Sequence, residues 1–185
     1  MKRYFTKIDE NSDHNQWKLD KDANDALVDL NYIQHYSPLC INIYGNLFAV
    51  VEQTEQDKLF KVLFLSESPE GMLHYFDINE FTSADAYYWA SEIGNQDVMI
   101  DRITSPEYAL LWGMTIGDRD IMIDKITKSD FAYYWAFYIG NQDVMIDRIT
   151  ESNYAYHWAK DIGNKEIMRK RITDEYWMKR FEQIP

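Results

Sequence analysis

Trp135-Ala136-Phe137-Tyr138-Ile139-Gly140-Asn141-Gln142-Asp143-Val144-Met145-Ile146-Asp147-Arg148-Ile149-Thr150 decides how this chain folds, because it is one copy of a pattern. Its closing Ile-Thr recurs as Ile103-Thr104, Ile126-Thr127 and Ile172-Thr173, always twenty-three positions apart. Trp89, Trp112, Trp135 and Trp158 keep that step, and so do Gly94, Gly117, Gly140 and Gly163. A fixed period of this length marks a stacked array, in which each unit buries its apolar face against its neighbours.

Within one period the residues read as two short helices. Phe131, Ala132, Trp135, Ala136 and Ile139 form a stripe at helical spacing. Gly140 ends that helix, since glycine takes a left-handed position at least cost. Asn141 then reads as an N-cap for the second helix, with Asp143 in its first turn. Val144, Met145 and Ile149 give that helix its apolar side, and Thr150 reads as a cap for the next unit. Thr104-Ser105-Pro106-Glu107 has a capping-box pattern with proline in the first turn. The tryptophans are expected to form a buried ladder, each worth at most about 4–6 kcal/mol.

Four units follow at 82–104, 105–127, 128–150 and 151–173, with a partial fifth to 185 that puts Phe181 in the tryptophan position. The Trp135–Thr150 segment resembles a short two-helix solenoid unit, similar in scale to leucine-rich-variant and HEAT-like repeats. That resemblance implies an architecture and a binding role, not a reaction.

The chain before Phe81 does not repeat. Arg3-Tyr4-Phe5 reads as a short strand. Asp20 to His35 reads as a helix, with Ala23, Ala26, Leu27, Leu30 and Ile33 on one face. Leu39–Tyr44 and Leu47–Glu52 flank Gly45-Asn46 as a hairpin. Leu59–Leu65 adds a strand ended by Ser68-Pro69-Glu70-Gly71, and Leu73–Ile78 reads as a last one. The expected fold is α+β: an N-terminal helix-and-sheet domain over residues 1–80, then an α-solenoid of helix-turn-helix repeats over 81–185.

Composition narrows the function. The chain has 185 residues, is 46% hydrophobic and carries a net charge of −12. That charge opposes direct nucleic-acid binding, which needs Lys and Arg, and suits a protein partner with a basic surface. A single cysteine, Cys40, precludes an internal disulfide. The start shows no signal-peptide core and no apolar run of transmembrane length occurs, so a cytoplasmic location is expected.

Two sets of side chains exceed what folding needs. Asp97/Asp101, Asp120/Asp124 and Asp143/Asp147 stand four apart, a spacing that shares one helix face. In stacked units roughly 10 Å apart, such rows could imitate about three phosphate steps of a nucleic-acid strand. Alternatively the first aspartate serves the helix N-terminus and the second is solvated, with Arg102, Lys125 and Arg148 neutralising the row. The second set is aromatic: Tyr87-Tyr88, Leu110-Leu111, Tyr133-Tyr134 and Tyr156-His157 precede the tryptophans. A three-turn helix cannot bury all of these, and exposed Tyr88 and Tyr134 beside acidic residues fit a protein interface.

No catalytic, metal or cofactor signature accompanies them. His14, His35, His74 and His157 lack ligand spacing, and no HExxH, GxxxxGK or GxSxG occurs. Lys165, Arg169, Lys170, Arg171, Lys179 and Arg180 make the end of the array basic, as a polar cap. The expectation is a non-catalytic, cofactor-free acidic binding module. Its sharper form is an inhibitor that occupies the basic groove of a nucleic-acid-binding protein, by analogy with phage anti-CRISPR mimics. The alternative is a scaffold or adaptor binding through its tyrosine-rich face; an enzyme is the least favoured, and oligomeric state is open.

Overall fold

Four runs rich in Val, Leu and Phe pair into one antiparallel sheet. They are β1 (Arg3–Ile8), β2 (Leu27–Asp29), β3 (Leu47–Gln53) and β4 (Leu59–Ser66), in the order β1-β3-β4-β2. The structure is a computed structural model that describes residues 3–8, 27–29, 47–53, 55, 59–66, 68, 69 and 71–185. Ala49, Val50 and Val51 at the centre of β3 are fully buried. Val50 faces Phe64 while Val51 faces Val62, so Leu63 is an extra residue that bulges β4 and sharpens its twist.

Several N-terminal expectations are corrected. Leu27–Asp29 is a strand paired to β4, so no helix runs unbroken from Asp20 to His35. Pairing along the edge of β4 overrides the helical spacing there. The rest of that segment, Leu39–Tyr44, Gly45-Asn46 and Cys40 lie outside the described residues. Strand β3 is bordered by β1 and β4 along its length, which leaves no edge for the expected hairpin. Leu73–Ile78 is not a strand: 3-10 turns run over Met72–Tyr75 and Ile78–Glu80. Gly71 at φ +86° starts the first turn, which buries Met72 and sets Tyr75 5.8 Å from the ring of Phe64.

The chain groups into two compact units, Met1–Asn95 and Gln96–Pro185. Within the first unit, Trp89 on helix α1 (Ser83–Glu92) packs on Phe76 and Phe81 at 5.5 and 5.6 Å. Helix α1 opens on a full capping box. The Thr82 Oγ1 accepts from the Asp85 N–H at 3.2 Å, and Asp85 Oδ2 accepts from the Thr82 N–H at 2.9 Å.

The second unit begins with one-turn α2 (Gln96–Met99). Long helices follow as α3 (Pro106–Thr115), α5 (Ser129–Tyr138) and α7 (Ser152–Asp161). Between them lie one-turn helices α4 (Arg119–Met122) and α6 (Gln142–Met145). Like α2, both tighten into 3-10 turns, at Ile123–Lys125 and Ile146–Arg148. The last elements are α8 (Lys165–Arg171) and α9 (Glu175–Phe181). Helix α3 packs on α5, α5 on α7, and α7 on α9. Trp112, Trp135 and Trp158 are 0% exposed, with Met122, Ile126, Met145, Ile149 and Met168 around them. The fold is α+β.

The corners between helices are built differently from the expectation in one respect. Gly140 does take a left-handed φ of +114°, and its N–H and that of Ile139 both donate to the Trp135 carbonyl. Asn141 is also left-handed, at φ +55°, and makes no side-chain capping bond. Asparagine is there because it tolerates that conformation better than other side chains. Ser105 likewise sits at its N-cap without a side-chain capping bond, so Thr104-Ser105-Pro106-Glu107 is no capping box, though Pro106 is at the first helical position. Val144 is exposed and Ile146 is buried in its stead, because the helix tightens after Met145.

Candidate interaction surface

The repeat joins explain most of the charged residues. Lys125, Arg148 and Arg171 hold the same place in successive units, and each reaches back one unit. Lys125 Nζ donates to the Ile100 carbonyl at 2.9 Å. Arg148 Nη1 donates to the carbonyls of Ile126, at 2.6 Å, and Ile123. Arg171 Nη1 donates to those of Ile149, at 3.0 Å, and Ile146. Ile100, Ile123 and Ile146 open the preceding 3-10 turns, and their carbonyls also accept from the N–H three residues on, while Ile126 and Ile149 directly follow those turns. Burial pushes the Lys125 ammonium below its ordinary pKa, against the opposing pull of Asp101.

The same cations take the second aspartate of each pair. Arg148 Nη2 lies 3.7 Å from Asp124, and Arg171 Nη2 3.1 Å from Asp147. All six aspartates, Asp97, Asp101, Asp120, Asp124, Asp143 and Asp147, are exposed. Asp97, Asp120 and Asp143 sit in the first turns of α2, α4 and α6. Their partners four positions on lie in 3-10 turns, so no pair shares one continuous α-helix.

The threonines serve within their own units. Thr150 does not cap α7, whose N-cap Glu151 makes no side-chain capping bond. The Thr150 N–H donates instead to Ser129 Oγ at 2.9 Å, at the start of the same unit. The Thr173 N–H donates to Ser152 Oγ in the same way at 3.0 Å. In the second unit Pro106 holds the serine position and has no hydroxyl to offer.

The aromatic residues divide by repeat. Leu110 and Tyr156 are buried, and Tyr87, Tyr88, Leu111 and Tyr133 are half-buried. Tyr134 is exposed, at 40%, and is joined by Phe137 at 49% and Tyr138 at 61%. The rings of Tyr134 and Tyr138 stack at 6.2 Å and 15°, and Phe137 meets Tyr138 edge-on at 5.0 Å. Sequence reasoning misses Phe137 and Tyr138. The signal is present, since the other units carry Ser91-Glu92, Met114-Thr115 and Lys160-Asp161 at those places.

Carboxylates meet the rings next to this cluster. Tyr133 donates its hydroxyl to Asp161 Oδ2 at 2.8 Å, and burial together with that bond pushes its pKa up. Burial also raises the Tyr154 phenol, with Asp130, Tyr134 and Glu151 adding to the effect. His157 Nδ1 lies 3.9 Å from Asp161, and its ring is 6.0 Å from that of Tyr133.

At the array's end Arg180 lies 5.6–5.7 Å from the ring centres of Tyr156, Tyr176 and Trp177. Lys165, Arg169, Lys170 and Lys179 are exposed on α8 and α9. No helix among the described residues is long and apolar enough to cross a membrane. No protein-family model matches the chain, and no curated protein or solved structure matches it.

Proposed function

We propose that residues 82–185 form a short α-solenoid and that the chain is a non-catalytic protein-binding module. The observation that carries this is the third repeat's outer face. Tyr134, Phe137 and Tyr138 are solvent-exposed rings where sister repeats place mostly polar residues. Repetition accounts for Tyr134, which recurs as Tyr88, but Phe137 and Tyr138 depart from the repeat, and stability does not require large rings facing water. Exposed tyrosine and phenylalanine anchors beside carboxylates suit a protein interface.

Phe137→Ser with Tyr138→Glu installs the pair that the first repeat carries. Cross-linking and affinity purification of the full chain from its native cell, with and without this change, test the reading. Loss of specific partners with the helical signal intact supports it. An unchanged partner set overturns it.

A second reading, mimicry of nucleic acid, keeps one supporting observation: all six aspartates face solvent. Two of them, Asp124 and Asp147, already face arginines. Residues 81–185 carry 12 basic and 17 acidic side chains, so more of the chain's net negative charge lies before the repeats. Asp120→Lys with Asp143→Lys should abolish binding under mimicry, and leave it largely intact under the aromatic reading.

A further inference from the structure

The ring cluster on α5 also points to the chemistry of its occupant. We propose that it receives an arginine-bearing segment of the partner protein, whose guanidinium groups stack on Tyr134, Phe137 and Tyr138. This rests on the binding-module reading above and names what that module recognises.

Two observations support arginine. The first is charge complementarity. Asp130 precedes Tyr134 by one helical turn, and Asp130 and Glu151 both act on the neighbouring Tyr154 phenol. Asp161 holds Tyr133 at the other side. The Tyr133 ring lies 5.2 Å from that of Tyr134 and 5.9 Å from that of Phe137, so Asp161 joins the cluster through it; negative charge there attracts a cation, and a cation over a tyrosine or phenylalanine face is favoured further by the ring quadrupole. Lys160 stands one repeat on from Phe137, which bounds the acidic surface on the α7 side.

The second observation is internal. Arg180 already sits among Tyr156, Tyr176 and Trp177, and its Nη1 donates to the Tyr176 hydroxyl at 2.8 Å. Tyr156 stands one period after Tyr133. The chain therefore uses an arginine to cover the rings at its own end, while the α5 rings stay open to solvent. Arginine is favoured over lysine because its plane matches a ring face and it is less strongly hydrated.

The test is a titration of the full chain, followed by calorimetry, with capped peptides in which three Arg or three Lys alternate with Gly. At about 150 mM salt, long-range attraction to the net charge is largely screened. The Arg peptide should bind roughly fivefold tighter than the Lys peptide, a difference about the size of one exposed cation–π contact. Phe137→Ser with Tyr138→Glu should erase that preference, and so should Tyr134→Leu, the residue that the second repeat carries as Leu111. Circular dichroism confirms that each variant keeps its helices.

Equal binding of both peptides, binding of neither, or a preference that survives both variants would overturn the proposal. Should these peptides fail while Phe137→Ser with Tyr138→Glu still strips the native partners, only the arginine assignment falls. The binding reading then stands.

Discussion

Replacing Arg148 tests what holds one repeat to the next. Arg148→Met keeps most of the aliphatic stem but removes bonds to the Ile123 and Ile126 carbonyls. A hydrogen bond from a charged donor is worth about 1.5–3 kcal/mol, and the Ile123 carbonyl left behind still accepts from the Ile126 N–H. The Arg148 side chain is 23% exposed, so some water does reach the site and the lower end of that range applies. Two such bonds give an expected loss of about 2–4 kcal/mol. The contact with Asp124 adds little, because that carboxylate is 86% exposed and 3.7 Å away; Asp124→Asn should cost less than about 1 kcal/mol. Arg148→Lys provides the graded case. Lys125, its counterpart one repeat earlier, reaches a single carbonyl, that of Ile100. Lysine at 148 should therefore lose about half of what methionine loses, roughly 1–2 kcal/mol. Urea unfolding monitored by the fluorescence of the buried tryptophans gives all three values. If Asp124→Asn costs as much as Arg148→Met, the ion pair rather than the carbonyls carries the join, and the role assigned to Arg148 is refuted.

Three further changes probe other parts of the array. Gly113→Ala matches Ala90, Ala136 and Ala159 in the sister repeats, yet its Cβ would lie 2.6 Å from the buried Trp135 ring. The helix-propensity gain of about 1 kcal/mol should be outweighed by 1–3 of overpacking, at roughly 1 kcal/mol net loss; a more stable variant in urea would show that Trp135 yields. At Asn141, glycine should be tolerated within about 0.5 kcal/mol, whereas serine, a good cap but a poor left-handed residue, should cost roughly 1 kcal/mol. Equal stability of the serine variant would restore a capping role. Tyr133→Phe removes the bond to Asp161 and should cost about 1 kcal/mol near neutral pH. Because the folded phenol is held above its ordinary value, that stabilisation is complete below about pH 10 and is lost as pH rises beyond it. A wild-type advantage over Tyr133→Phe that stays constant to pH 11 would contradict this.

The repeat is legible because its signals agree: the Trp, Ala and Gly positions mark the long helices without any tertiary knowledge. What stays hidden depends on partners distant in sequence. Thr150 looks like a cap locally, and only the fold brings its N–H to Ser129. Asp124 looks like a free charge until Arg148 arrives from the next unit. Leu27–Asp29 reads as helix because so short a strand cannot show its own period, and pairing with β4 defines it. At the candidate surface, surplus aromatic content is enough to single out Tyr134. Phe137 and Tyr138 need a column-by-column comparison of the repeats, in which departure from the pattern says more than adherence to it.

The backward reach of the basic residues gives the array a grammar with direction. Each unit carries the bolt, and its predecessor the socket. An internal unit can be duplicated or removed with every bolt still facing a socket, so such a chain can lengthen or shorten from within. Its far end does not allow this. Arg169 and Ile172 take the places of Ile146 and Ile149, but Lys170 stands where Asp147 would greet the next arginine. A further unit appended after Thr173 would bring its guanidinium against two cations. The joins therefore run one way, each basic residue locking onto the unit before it.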